Sequence, residues 1–250
     1  MNAYGGVTLA GLVSFAQAQQ EERELLQRVC SGPQTSLFKI WRTQQALVVP
    51  RGMPSRARFD TAAAMAGTCG WPVFERDTGG DLTPQMPGVV NISMAFRMDG
   101  ATPNIRAAYL RLTDPVIAFL STHLGLKGYL SAIPGAFCDG AYNIAIDTKK
   151  LAGTAQRWKI LSHSGQTKSI AMLGHIALMC DCELAPAIDV INAFYASMGL
   201  ERRVELACHT TLRQHLGADR SDPAKIACAL DAALAQQDLC SREECLPAHD

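Results

Sequence analysis

Residues 142–157 read Tyr-Asn-Ile-Ala-Ile-Asp-Thr-Lys-Lys-Leu-Ala-Gly-Thr-Ala-Gln-Arg, and this stretch constrains the fold most. Small and β-branched apolar residues alternate over 142–146, which predicts a strand. The strand delivers Lys149 and Lys150 to its end, and Gly153-Thr154-Ala155 is expected to turn the chain. A cation fixed beside bare backbone suits an anionic or carboxyl-derived ligand. The lysine supplies charge, while the glycine lets the main chain approach closely and leaves its N–H unhindered. Strand alternation points Lys149 away from Lys150 and into solvent. The same residues would also make an ordinary hairpin turn with solvated lysines, so a second feature has to decide.

That feature lies at residues 75–93, Glu-Arg-Asp-Thr-Gly-Gly-Asp-Leu-Thr-Pro-Gln-Met-Pro-Gly-Val-Val-Asn-Ile-Ser. Paired glycines after an arginine, and Pro-Gly before an apolar strand, describe a loop that wraps a ligand and returns to a sheet. Taken in order, the two segments resemble the catalytic domain shared by lipoate–protein ligases, octanoyltransferases and biotin protein ligases. Arg76, Thr78, Gly79 and Gly80 match that family's Arg-Ser/Thr-Gly-Gly loop. Lys150, Gly153, Thr154 and Ala155 match its Lys-x-x-Gly-Ser/Thr-Ala segment. Residues 38–42 and 46–49 look like its opening strands and 173–178 like the strand after the lysine, so the resemblance covers residues 20–220. It implies an α+β fold: a single domain over 1–250 with a central mixed, mainly antiparallel sheet flanked by helices, and a C-terminal helical extension at 221–250.

The resemblance also implies a site. Lys150 would stabilise negative charge on the oxygen of an acyl carboxylate, acyl-adenylate or thioester. Gly79, Gly80 and the strand bearing Asn91 would wall an apolar acyl channel with Lys150 at its reactive end. Arg76, Thr78, Gly153, Thr154 and Ala155 would hold the acyl group. Cys138 lies in Pro134-Gly135-Ala136-Phe137-Cys138-Asp139-Gly140. One octanoyltransferase branch of the family carries its nucleophilic cysteine in a similar loop, taking an acyl group from a carrier thioester and passing it to a protein lysine. Covalent catalysis of this kind divides one transfer into two easier steps, and a nearby ammonium such as Lys150 would support the nucleophile. The competing reading of Cys138 is a small buried thiol. Three positions depart from the family pattern. Asp81 stands where many members have a third glycine, Gln85 where they have a histidine, and Asn143 where an acidic residue is associated with metal–ATP. An amide is a weaker ligand than a carboxylate for a hard divalent cation. Asp81 either replaces the acidic group or repels the phosphates.

The reaction so implied attaches an octanoyl or lipoyl group in amide linkage to a lysine of a lipoyl domain or H protein. Lipoate or octanoate is the substrate, and transfer from an acyl carrier protein thioester is preferred. ATP and Mg enter only if the alternative reading, a lipoate–protein ligase, holds. A non-catalytic lipoate-binding member of the fold is the rival class, and biotin attachment a weaker option.

Charge excludes a different class. Lysine plus arginine number 23 and aspartate plus glutamate 23, so no basic surface drives counterion release and no nucleic-acid partner is expected. The nine cysteines are odd in number and several sit in apolar runs, as buried reduced thiols do. Cys180-Asp181-Cys182 and the Cys240, Cys245 pair have no second cluster at structural-zinc spacing, so no metal site is expected. Residues 7–16 mimic a signal-peptide apolar run but have no cationic residue before it. The spacing of Leu12, Phe15, Leu25, Leu26 and Val29 predicts an amphipathic helix instead. No run reaches the ~18–20 apolar residues of a membrane span, and a cytoplasmic protein with no membrane partner is expected. Helices are expected at 14–30, 58–66, 114–123, 186–198 and 223–236, the third starting at a Thr113 or Asp114 cap with Pro115 in its first turn. Strands are expected at 36–42, 45–49, 72–76, 89–96, 128–132, 142–147, 154–161 and 169–179. His163, His175 and His209 read as ordinary histidines, His175 as a hydrogen-bonded one in the core.

Overall fold

The computed structural model describes residues 7–98, 104–161 and 169–243; His163 and Cys245 lie outside them. The elements run β1 (Val7–Val13), α1 (Phe15–Ser31), β2 (Ser36–Thr43), β3 (Ala46–Pro50), α2 (Phe59–Thr68), β4 (Val73–Arg76), β5 (Thr83–Gln85) and β6 (Val89–Met98). There follow α3 (Ile105–Leu124), β7 (Tyr129–Leu130), β8 (Ile144–Ile146), β9 (Lys149–Leu161), β10 (Ser169–Met179), α4 (Leu184–Ser197), α5 (Leu212–Leu216) and α6 (Pro223–Glu243). Seven strands make one sheet in the order β1-β2-β6-β10-β9-β8-β7, and β4-β3-β5 make a second. In the large sheet only β1 and β2 pair in parallel, so the sheet is mixed and mainly antiparallel as expected.

The alternation of β6 explains the two faces. Val90, Ile92, Met94 and Phe96 pack against Leu112, Val116 and Phe119 of α3 and Ile226, Leu230 and Leu234 of α6. Asn91 and Ser93 point to the opposite face. There α1 lays Leu25, Leu26 and Val29 over Leu37, Ala95 and Leu173. Further along that face the sheet is lined by Asn91, Ser93, Gly153, Ala155, His175 and Ala177, in register across three strands. These side chains are small or polar, so the sheet surface is not filled by its own residues. The second sheet, α2 and α4 close over this space through Leu47, Val49, Ala62, Ile188 and Phe194.

Four expectations need correction. Leu12 lies on β1, not on a helix; Ser14 caps α1 by accepting the Gln17 N–H at 3.2 Å. The third helix begins at Ile105, nine residues before the expected start, with Asn104 as its cap. Pro115 sits inside it, tolerated because Ala108, Leu112, Val116, Phe119 and Leu120 bury one continuous stripe on either side. Thr83-Pro84-Gln85 is a short edge strand, where a proline removes no ladder bond that matters. Finally, Gly153-Thr154-Ala155 is not a turn. The chain reverses at Asp147 and Thr148, which take positive φ of 48° and 62°, and residues 149–161 form one strand. Two consecutive left-handed residues are the geometry of a tight hairpin.

Candidate active site

A narrow cleft runs across the small-residue face of the sheet. Cys138, Arg76, Thr78, Gly153, Thr154 and Ala155 line it near β9, and Phe15, Glu22, Trp41, Val48 and His175 near β2. Gln85, Met86, Ala177 and Met179 lie along its length. Four strands from β2 to β9 cover roughly 14 Å at ~4.8 Å per strand, the reach of a medium-length acyl chain.

Cys138 is 8% exposed and held at φ 45°. Its Sγ accepts the backbone N–H of Asp81 at 3.1 Å and lies 3.9 Å from Nη2 of Arg76. Two donors therefore face the sulfur, where negative charge resides when a thiol acts as nucleophile. Arg76 also laces up its own loop. It donates to the carbonyls of Gly79 and Asp81 at 2.9 and 2.7 Å, and to Thr83 Oγ1 at 2.6 Å. Gly80 takes φ 106°, and a Cβ there would lie 2.7 Å from Arg76 Nη2 and 2.8 Å from Cys138 Sγ. Only glycine lets the loop close on the thiol.

Lys150 is fully buried and Lys149 exposed, as strand alternation requires. The Lys150 ammonium donates to the carbonyls of Phe137 at 2.6 Å and Cys138 at 3.0 Å, and lies 4.7 Å from the Phe137 ring centre. It stands behind the Cys138 loop and does not itself line the cleft. It comes nearest at Gly153, where a Cβ would be 3.3 Å from Nζ. Gly153 thus serves close approach within a strand. Asn143 joins the same frame, donating Nδ2–H to Cys138 O at 3.1 Å while its Oδ1 accepts the Thr154 N–H at 3.2 Å.

Of the remaining expected residues Gln85 lines the cleft, whereas Asn91 and Asp81 do not, and neither Gly79 nor Gly80 forms the channel wall expected of them. Gln85 and Asn91 exchange two amide hydrogen bonds of 2.9 Å, with only Gln85 lining the cleft. The Asp81 side chain turns away, held by Arg202, by the Tyr195 hydroxyl at 3.1 Å and by the Leu82 N–H at 2.7 Å. Gly79 docks its N–H on Gln156 O at 3.1 Å. His175 is hydrogen-bonded as expected, but it belongs to the cleft wall. Its Nδ1 lies 2.9 Å from Glu22 and its Nε2 3.1 Å from Asn91 Oδ1. Burial pushes the Glu22 carboxyl up, but His175, Ser93 and Lys39 together outweigh it and hold Glu22 below its ordinary range. Glu22 was missed in the sequence. The available signal was a glutamate on the same stripe of α1 as Leu25, Leu26 and Val29.

Burial draws the Lys150 pKa down to about 8 from 10.5, with Arg76 acting in the same direction and Cys138 and Asp139 against it. Between these values the unfolded chain binds more protons than the native one. The Lys150 contribution to stability therefore rises with pH from about 8 to 10.5, by up to ~1.4 kcal/mol per pH unit. Unfolding free energies of wild type and Lys150→Met, measured across that window, should diverge in favour of wild type as pH rises. Parallel curves would contradict the burial of the charge.

A family model described as the lipoyl protein ligase A/B catalytic domain matches residues 14–230. The chain is 34% identical over 206 residues to an uncharacterised protein of Cupriavidus necator, covering 79% of this chain and 80% of that one. It is 30% identical over 212 residues to the octanoyl-[GcvH]:protein N-octanoyltransferase of Kyrpidia tusciae, covering 82% and 72%. Among solved structures, a lipoate protein ligase of Thermoplasma acidophilum with bound lipoic acid superposes with a TM-score of 0.63. That pair shares 14% identity, with 94% of this chain and 85% of the other covered, and shows the fold. The ordered pair of motifs, the sheet that carries them and these matches agree: the chain belongs to the lipoyl protein ligase A/B catalytic-domain family.

Proposed function

We propose that this protein is an acyltransferase that carries an octanoyl or lipoyl group on Cys138 and delivers it to a lysine of a lipoyl domain. The observation that carries the reading is the placement of the Cys138 sulfur in the cleft, facing the Asp81 N–H and Arg76. In the first step the sulfur attacks the donor carbonyl carbon. A C–S bond forms, the bond to the donor breaks and the donor leaves protonated. In the second, the acceptor lysine amine attacks, a C–N bond forms, the C–S bond breaks and the amine gives up a proton. Lys150 keeps the Phe137 and Cys138 carbonyls fixed and places positive charge just behind Gly153.

Asn143, at the position associated with metal–ATP, and Asp81, the candidate acidic replacement, do not fit that group. Both amide atoms of Asn143 are engaged internally, and the Asp81 carboxylate is committed to Arg202, Tyr195 and Leu82. Neither offers a free carboxylate oxygen to a hard cation. Transfer without ATP is therefore the favoured reading. The donor is an acyl thioester on a carrier protein. An octanoylated H protein is the second candidate, supported by the likeness to the octanoyl-[GcvH] transferase of Kyrpidia tusciae.

A lipoyl-domain acceptor incubated with the protein and each donor in turn tests this by intact mass. Octanoyl-carrier protein or octanoylated H protein should add one acyl group without ATP. A strict requirement for free lipoate plus ATP and Mg would overturn the transferase reading. Binding of lipoate with no acceptor modified by any donor would identify a non-catalytic member.

A further inference from the structure

The segment that follows α4 grips the Cys138 loop, and His209 is the innermost point of the grip. Glu205 donates its backbone N–H to Gly135 O at 2.9 Å, and the Cys208 thiol to Pro134 O at 3.2 Å. The Phe137 N–H is donated to His209 Nε2 at 3.1 Å, and the two rings stack at 4.4 Å and 17°. His209 Nδ1 lies 2.9 Å from the Glu205 carbonyl, which can only accept, so Nδ1 carries the proton and Nε2 presents its lone pair. The side chain is 2% exposed. The next residue, Thr210, donates its N–H to Lys150 O at 2.9 Å, tying this segment to the strand that carries the lysine.

We propose that His209 is a positioning residue for the acyl-carrying thiol, acting through Phe137 without touching substrate. This rests on the reading of Cys138 as the acyl carrier. Three successive peptide planes are pinned around the cysteine: the Phe137 N–H by His209, the Phe137 carbonyl by Lys150, and the Cys138 carbonyl by Lys150 and Asn143. A left-handed conformation is unfavourable for an L-residue, so Cys138 at φ 45° relaxes if a pin is lost. Relaxation swings Sγ away from the Asp81 N–H. Burial and the Lys150 charge hold the His209 pKa down at about 4, so its acceptor nitrogen is available throughout the neutral range.

His209→Gln keeps an oxygen acceptor near the Nε2 position, His209→Leu fills the space without one, and His209→Asn is too short to reach Phe137. Alkylation of Cys138 by iodoacetamide, followed by peptide mass with no acyl substrate present, is compared with kcat, KM and the thermal midpoint. Loss of the acceptor should slow alkylation and kcat by up to about 100-fold, with KM little changed. The glutamine variant should recover most of both rates. If the leucine variant does not fold, the asparagine variant takes its place. Wild-type alkylation and kcat in a folded variant without the acceptor would overturn the proposal, as would a glutamine variant no faster than the acceptor-free one. Alkylation does not depend on transfer, so normal alkylation kinetics with Cys138 dispensable for turnover would instead count against the proposed function.

Discussion

Cys138→Ala should lower acyl transfer by at least about 1000-fold, the scale on which loss of a covalent nucleophile acts. The substitution removes one atom from a side chain that is 8% exposed, so the thermal midpoint should stay close to wild type. Binding of octanoate or lipoate should also persist, because the cleft wall from Thr78 to Trp41 is untouched. Rates with an octanoyl thioester donor, together with calorimetric binding, check both halves. Near wild-type turnover in Cys138→Ala would make the cysteine a packing residue.

Gly80→Ala should cost about 100-fold or more in kcat/KM, and Gly79→Ala little. The two glycines are adjacent and both belong to the family motif, but their surroundings differ. A Cβ at position 80 meets a guanidinium nitrogen and the thiol below 3.0 Å on a backbone at φ 106°; at position 79 the nearest atom is Gln156 O at 3.8 Å. The strained backbone alone is worth ~1–3 kcal/mol, and the clash falls on Arg76 and Cys138 together. Parallel measurement of kcat/KM and thermal midpoint for the two alanine variants tests the closed loop. Equal tolerance at both positions would show that the loop does not need to approach the sulfur.

The part of the site legible in the sequence was the part written in contiguous motifs. Arg76, Thr78, Gly153, Thr154 and Ala155 come together around one cleft, and Cys138 joins them from a loop whose Pro-Gly start announces a bend. The strands followed from apolar alternation, as in β6, whose even-numbered residues from 90 to 96 make the core while Asn91 and Ser93 turn to the opposite face. What the sequence concealed depends on partners far apart in the chain. Glu22 and His175 are 153 residues apart, and His209 meets Phe137 across 72. A lone histidine carries no periodic signal, and its role is set by the atom it meets. The turn at Asp147-Thr148 was hidden for a local reason. Neither residue is glycine, so the usual mark of a tight hairpin is missing and Gly153 drew attention in its place. Asp81 read either as a replacement acidic group or as a charge repelling phosphates. Arg202 and Tyr195, more than a hundred residues later, turn its carboxylate away and leave its N–H on the thiol.

The account stands or falls on whether an acyl group ever resides on the sulfur at position 138. Wild-type protein mixed with an octanoyl thioester donor, without ATP or acceptor, should gain the mass of one octanoyl group, mapped by peptide mass spectrometry to Cys138 and released by a lipoyl domain. An enzyme that modifies the acceptor while its own mass never changes, in the wild type and in slow-turnover variants alike, would contradict it.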